Sequence, residues 1–229
     1  MSEPGSSRRG RTHDAEGARE AILNAAEIVF SEQGFEGARM DAIARQSGYN
    51  KSLLFQYFSD KQGLYTEIIR RADQETSELQ ARVLTPLLMD KAVVTDRQKF
   101  KQLLEVLVGS TFDYMVEHPR LVRILQWEQA EGWETYKKLL SQFNTDDMTR
   151  FNELFGRAMK AGLLRSDFSP IVQFALTAQV GLAYLAWLPI YQLMLPDQDF
   201  SAPAELRRVR EYLVNFIVAG MLADPGGST

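Results

Sequence analysis

Apolar residues first recur at helical spacing after position 15. Ile22, Ala25, Ala26, Val29 and Phe30 share one side of a helix, and Gly34 ends the run. Met40, Ile43 and Ala44 predict a short second helix, Gly48 marks a turn, and a third helix is predicted from about Asn50 to Tyr57. Ser59-Asp60-Lys61-Gln62 has the form of a capping box, with Ser59 as N-cap and Gln62 reaching back. The long helix it opens is expected to run towards Leu84 and to stop before Pro86. Thr95-Asp96-Arg97-Gln98 repeats the signature for a helix ending near Glu117, and Pro119 suits the first turn of the next. Further helices are predicted at roughly 133–161, 170–195 and 203–222. The last two are opened by Ser169-Pro170 and Ala202-Pro203. No segment alternates apolar and polar residues with period two, so the expected fold is all-α, with about nine helices.

The stretch from Phe168 to Pro196 carries no charge and is long enough to span a membrane. Gln173, Thr177, Gln179 and Gln192 are spread through it, Pro189 interrupts it, and no Lys/Arg cluster flanks it. The expectation is therefore a helix covered by protein. In the last predicted helix Leu206, Val209, Leu213, Phe216, Ile217 and Gly220 form one face. Small residues at Ala175, Ala178, Gly181 and Ala186 permit close helix approach. Two terminal helices with more apolar surface than one core needs predict a four-helix interface between two copies of the chain.

Composition narrows the function classes. With 229 residues, 45% hydrophobic and 24% charged, the chain can bury a real core. It has no cysteine, so disulfides, thiolate metal sites and cysteine nucleophiles are excluded. Only two histidines are present, His13 and His118, and no Gly-rich phosphate loop or paired metal-ligand spacing accompanies them. Neither an enzyme nor a metal or other cofactor is expected. The arginines near the N-terminus are not followed by an apolar run, so no secretory signal is read and a cytoplasmic location is expected. The formal net charge is −4, and residues 1–61, with eight Lys/Arg and nine Asp/Glu, are no more basic than the rest. A nucleic-acid partner has to rest on where the cations sit, not on their number.

Residues 34–65 (GFEGARMDAIARQSGYNKSLLFQYFSDKQGLY) carry the informative pattern. Two short helices joined by a tight turn need a small residue at their crossing, supplied by Ala44. They also need a turn residue tolerant of positive φ, supplied by Gly48, and apolar residues at helical spacing, supplied by Met40, Ile43, Leu54 and Phe58. The segment resembles the DNA-binding domain of the TetR family of bacterial regulators. The resemblance lies in Ala25-Ala26, Gly34-Phe35, Ile43-Ala44, Gly48, Phe55-Gln56-Tyr57-Phe58 and Ser59-Asp60-Lys61, and covers about residues 16–70.

The resemblance implies a helix-turn-helix over about 39–58, whose third helix enters the major groove of an operator. Asn50, Lys51, Ser52, Phe55 and Gln56 are then the candidates for reading or flanking bases, with Arg39, Tyr57 and Lys61 as phosphate contacts. Arg8, Arg9 and Arg11 form a basic arm for which two readings stand open, a minor-groove contact and a solvated tail. Two positions depart from the family pattern. Ala38-Arg39 stands where a Ser or Thr cap is usual, and Phe55 where Tyr is usual.

The implied organisation is a flexible arm over 1–14, a DNA-binding domain over 15–62, a ligand-binding and dimerisation domain over 63–224, and a tail over 225–229. Phe112, Met115, Trp127, Glu128, Phe155, Tyr184 and Trp187 are candidates for a pocket that takes a small-molecule effector, with Trp133, Phe151 and Tyr191 nearby in type. The implied function is a dimeric repressor, joined through 170–195 and 203–222, that ligand releases from a pseudo-palindromic operator. A ligand-binding activator or co-repressor, and a helical interaction module without DNA binding, are the alternatives.

Overall fold

A computed structural model describes residues 7–140, 146–167 and 169–224. Among them are α1 (Ser7–Gly37), α2 (Met40–Ser47), α3 (Lys51–Phe58), α4 (Lys61–Leu88), a 3-10 turn (Lys91–Val94), α5 (Arg97–Glu117), α6 (Pro119–Ala130), α7 (Glu134–Leu140), α8 (Asp146–Lys160), α9 (Pro170–Met194) and α10 (Pro203–Met221). No strand occurs among the described residues; one isolated antiparallel bridge pairs Leu164 with Leu222. The all-α expectation holds.

The chain forms two compact units. The first holds α1–α3, α4 as far as Gln74, and the chain from Arg123 through α7. Its core is built from Ile22, Ala26 and Phe30 of α1, Met40 and Ile43 of α2, Leu54 and Phe58 of α3, Leu64, Tyr65 and Ile68 of α4, Ile124 of α6 and Leu139 of α7. A ladder of ion pairs ties α1 to α4. Arg71 of α4 binds Glu20 at 2.8 Å and also Glu27. Glu67 pairs with Arg70 at 2.7 Å and with Arg19 of α1. Chiefly through the Arg70 hydrogen bond, these guanidinium groups hold the Glu67 carboxyl below its usual range, against the opposing effect of burial.

The second unit is organised on α5. Its buried residues Phe100, Leu103, Leu104, Leu107, Val108 and Phe112 follow the i, i+3, i+4, i+7 rule and make a stripe wide enough to receive several neighbours. Leu213, Val214, Ile217 and Val218 of α10 and Phe155 of α8 complete that core. The Leu164 bridge closes it: Arg165 N–H donates to the Met221 carbonyl at 2.9 Å and Ala223 N–H to that of Leu163 at 3.0 Å. His118 is the helix-end residue expected of it, its N–H donating to the Tyr114 carbonyl at 3.0 Å.

Several boundaries differ from the sequence reading, each for a local reason. Residues 7–14 are helical and not a flexible arm, because adding turns to an existing helix costs no nucleation and arginine is a good helix former. The side chains of Arg8, Arg9 and Arg11, residues 1–6, and the tail over 225–229 lie outside the described residues. The α4 cap is Asp60, whose Oδ1 accepts from Gly63 N–H at 2.6 Å. Ser59 instead takes a left-handed φ of 63° at the end of α3. Asp96 likewise caps α5, accepting from Gln98 and Lys99 N–H at 2.8 and 3.0 Å. In both cases Ser/Thr and Asp stand side by side with equal capping ability, and the path of the preceding chain chooses between them.

α4 runs through Pro86 to Leu88, since a proline near a helix end removes one hydrogen bond and the next turn still closes, Met89 N–H to Thr85 carbonyl at 3.1 Å. The helix predicted over 133–161 is two helices, α7 and α8, with 141–145 outside the described residues. The expected domain boundary at 62/63 also moves. The chain from Arg123 through α7 joins the first unit because Ile124 and Leu139 bury their side chains there.

The start of α4 depends on residue 63 having no side chain. A Cβ placed there would stand 2.1 Å from the Phe58 carbonyl oxygen, a backbone atom with no room to retreat. Replacement Gly63→Ala is expected to destabilise the protein by about 2 kcal/mol or more, in the range of overpacked core substitutions, and to lower the urea midpoint. An unchanged midpoint would show that α4 can shift away from α3.

Candidate nucleic-acid interface

The turn between α2 and α3 is made by Gly48, whose φ of 76° and ψ of 6° place it in the left-handed region, and its N–H donates to the Ala44 carbonyl at 3.1 Å. Ser47 Oγ adds a bond to the same carbonyl at 3.2 Å and accepts from Tyr49 N–H at 3.3 Å. Asn50 then caps α3, its Oδ1 accepting from Leu53 N–H at 2.9 Å. The asparagine side chain is thus part of the helix start.

Leu54 and Phe58, four residues apart, bury one side of α3. Lys51, Ser52, Phe55 and Gln56 stand exposed on the helix, Phe55 with 41% of its surface free, and Tyr57 is half-buried beside Phe58. This side of α3 thus presents one aromatic and three polar side chains to solvent. Tyr49, also exposed, extends it at the turn; the sequence offered no periodic signal for a residue lying between helices.

Arg39 is exposed and extended at the start of α2 (φ −118°, ψ 137°), and its side chain makes no cap bond there. The missing hydroxyl noticed in the sequence therefore has no local replacement. Asp41, in the first turn of α2, holds the Lys51 ammonium at 2.9 Å. Sequence reasoning missed that pair because it spans the turn.

Lys61 is engaged within the fold. Its ammonium donates to the carbonyls of Phe35 at 2.8 Å, Ala38 at 3.3 Å and Glu36 at 3.4 Å. It also lies 4.5 Å from the centre of the Phe35 ring. A cation at the negative end of α1 satisfies carbonyls that the helix leaves open. At the start of α4, the Gly63 amide is taken by Asp60.

The candidate pocket residues are divided between the two units. Trp127 and Glu128 belong to the first unit, where Trp127 Nε1–H donates to the Ser31 carbonyl at 3.2 Å. Glu128 is buried there between Tyr65 and Tyr136. Trp133 and Tyr136 stack edge to face at the start of α7. Phe112, Met115, Phe155 and Tyr184 belong to the second unit. Phe155 is consumed by stacking on Phe151 and meeting Phe100, whereas Phe112 lies against Tyr184 at 6.2 Å. Trp187 is 54% exposed on α9, with Tyr191 beside it. Residues of matching type had no sequence signal for which unit they enter.

The substitution Lys61→Met keeps the stem and removes the ammonium. It is expected to cost about 1 kcal/mol of stability, measured by urea unfolding, because part-buried carbonyls at the end of α1 lose their donor. A lysine used only for phosphate would leave the unfolding midpoint unchanged.

Comparison with known proteins agrees with this arrangement. Residues 22–68 match the family model of the bacterial regulatory proteins, tetR family. Residues 101–217 match that of the tetracyclin repressor-like C-terminal domain. The transcriptional repressor NicS of Pseudomonas putida is 30% identical over 118 residues, 52% of this chain and 51% of NicS. The transcriptional activator FasR of Mycolicibacterium smegmatis is 33% identical over 115 residues, 50% of this chain and 47% of FasR. The chain thus spans about half the length of these curated relatives. The crystal structure of the transcriptional regulator FadR of Bacillus subtilis, in complex with stearoyl-CoA, shares the fold with a TM-score of 0.61 at 15% identity, over 88% of this chain and 98% of FadR. With one family model on the helix-turn-helix and a second covering half of the sequence, the chain belongs to the TetR family of bacterial regulatory proteins.

Proposed function

We propose that this protein is a dimeric, cytoplasmic repressor that binds a pseudo-palindromic operator and is released from it by a small-molecule effector. The observation that carries the reading is the two-sided α3: Leu54 and Phe58 are committed to the core, while Lys51, Ser52, Phe55 and Gln56 face solvent. A helix of this shape presents donors and acceptors to base edges in a major groove. Arg39 and Tyr57 flank that face and take the phosphates, whereas Lys61 acts through the fold.

The dimer is assigned to α9 and α10. α9 is long and apolar enough to cross a membrane, yet little of it is buried within the chain. Val172, Leu176, Trp187, Ile190 and Met194 are exposed on it at helical spacing, and Tyr212 and Phe216 on α10, the latter with 61% of its surface free. The exposed residues on α9 form two groups, 172/176 and 187/190/194, each spaced by three or four as in a helix-bundle seam, and charges do not interrupt them. A second copy of the same helices covers this surface and sets two recognition helices roughly 34–36 Å apart, one turn of DNA. Gly181, one of the small residues expected to permit close helix approach, is buried, and a Cβ there would stand 3.1 Å from Met115 Sδ of α5.

The effector acts by favouring a dimer whose reading heads no longer match the operator, and lowers DNA affinity by its differential affinity for the two states. FasR, a relative named as an activator, supports a second reading of the sign of regulation, with the same fold and the same DNA contacts.

The deciding experiment is selection from a library of random duplexes with the purified full chain at moderate salt. A pseudo-palindromic site should emerge, bound less tightly as salt rises. If no sequence is enriched over background, the assignment to DNA fails and an interaction module takes its place. The substitution Phe216→Glu should yield monomers by analytical ultracentrifugation and weaken operator binding by about tenfold or more, since a buried unpaired carboxylate is costly. A dimer that survives it would place the interface elsewhere.

A further inference from the structure

The chain between α1 and α2 forms an elbow that is held from three directions within the first unit. At Gly34 the backbone leaves the helix (φ 69°, ψ 178°). Trp127 of α6 lies directly on it: a Cβ at position 34 would stand 3.1 and 3.2 Å from carbons of the indole ring. The same indole donates Nε1–H to the Ser31 carbonyl, in the last turn before the break.

Glu128, the next residue of α6, is 1% exposed. Its Oε1 accepts from the Tyr65 hydroxyl at 2.7 Å and its Oε2 from Tyr136 N–H at 3.0 Å. Burial, with this hydrogen bond, pushes the Tyr65 hydroxyl far above its ordinary range, so it remains a donor. The Tyr65 ring meets Phe30 and Phe35 edge-on, each at 5.0 Å between ring centres. Phe35 in turn lies beneath the Lys61 ammonium, which binds the carbonyls of residues 35, 36 and 38.

The next residue is Arg39, and α2 starts there without a side-chain cap of its own. With no side-chain cap at its start, α2 takes its direction of entry from the burial of Met40 and Ile43 and from the elbow that precedes it. An apolar side chain in place of Glu128 would fill its volume without joining donors from α4 and α7 through one rigid carboxylate.

From this chain of contacts we infer that Trp127 and Glu128 are positioning residues for DNA reading: they seat the elbow at Gly34–Ala38 and so set the tilt at which α2 and α3 meet the operator. They act through Tyr65, Phe35 and Lys61 and touch no nucleic acid. The inference rests on the DNA-binding function proposed above. It makes the second half of α6 a part of the reading head.

The test uses full-length Trp127→Phe and Tyr65→Phe, each deleting one hydrogen-bonding group and keeping an aromatic ring. Binding is measured by fluorescence anisotropy, well below the melting temperature, on the operator recovered with the wild type and on a random duplex, over a range of salt. The variants should bind the operator about tenfold more weakly at every salt, a size typical of coupling through packed networks. The slope of log affinity against log salt should match the wild type, because no phosphate contact is lost, and binding to the random duplex should be unchanged. As a contrast, Arg39→Ala should reduce the slope by about one. Glu128→Gln, which keeps one acceptor and turns the other into a donor, supplies the same measurement where an aromatic variant does not fold.

Folded variants that hold the operator as tightly as the wild type, whatever their melting temperature, overturn the inference and leave the contacts purely structural. A reduced salt slope for Trp127→Phe overturns it too, by making Trp127 part of the DNA contact. Failure of the wild type to select any site is a separate result, seen before any variant is made, and sinks the DNA-binding reading together with this one.

Discussion

The first turn of α4 approaches the last carbonyl of α3 so closely that no side chain fits between them. That approach, made possible by Gly63, fixes where the recognition helix ends and how it lies on its support. Around it, Asp60 closes the start of α4 and Ser59 takes a left-handed φ to turn the chain. Leu54 and Phe58 drive α3 into the core, worth about 1.5–3 kcal/mol each by the area they remove from water. Their burial leaves the opposite side of an eight-residue helix to face solvent. A helix this short does not hold itself, and its exposed reading face exists because its buried face is anchored.

Electrostatics follow the same division of labour. In a chain with a net charge of −4, many cations of the first unit are engaged in the fold. Arg19 and Arg71 clamp α1 to α4, and Lys61 closes the end of α1. Exposed pairs of this kind add little stability singly; their value is in fixing one helix against another. Lys51 stands apart, exposed on the reading face and held only by Asp41 across the turn. In the proposed DNA-binding role the attraction is local, and the overall charge of the chain says nothing about it.

The second unit has the opposite character. Its core on α5 is complete within one chain, yet α9 and α10 present an apolar row outward. Such a surface is costly in water, and in the proposed dimer a second copy of the same helices relieves the cost by symmetry. The aromatic residues of this unit divide accordingly between the core, as with Phe100, Phe151 and Phe155, and the outward surface, as with Trp187, Tyr212 and Phe216.

Much of this was legible in the residues themselves. The periods of α1, α2, α3 and α5, the stop at Gly34, the left-handed turn at Gly48 and the unusual apolarity of α9 are local properties, written within a few residues of where they act. What the sequence could not specify depends on atoms distant along the chain. The choice of Asp60 over Ser59 as cap was made by the φ that closing the turn imposes. The role of Lys61 was set by three carbonyls more than twenty residues earlier. Trp127 and Glu128 looked like pocket residues because aromatic and acidic groups side by side suit a ligand equally well. Only the packing of α6 on Gly34 and Tyr65 places them in the core of the first unit. Periodicity and turn chemistry are short-range and survive in the one-dimensional pattern, whereas the partner of a buried polar group is selected by the fold.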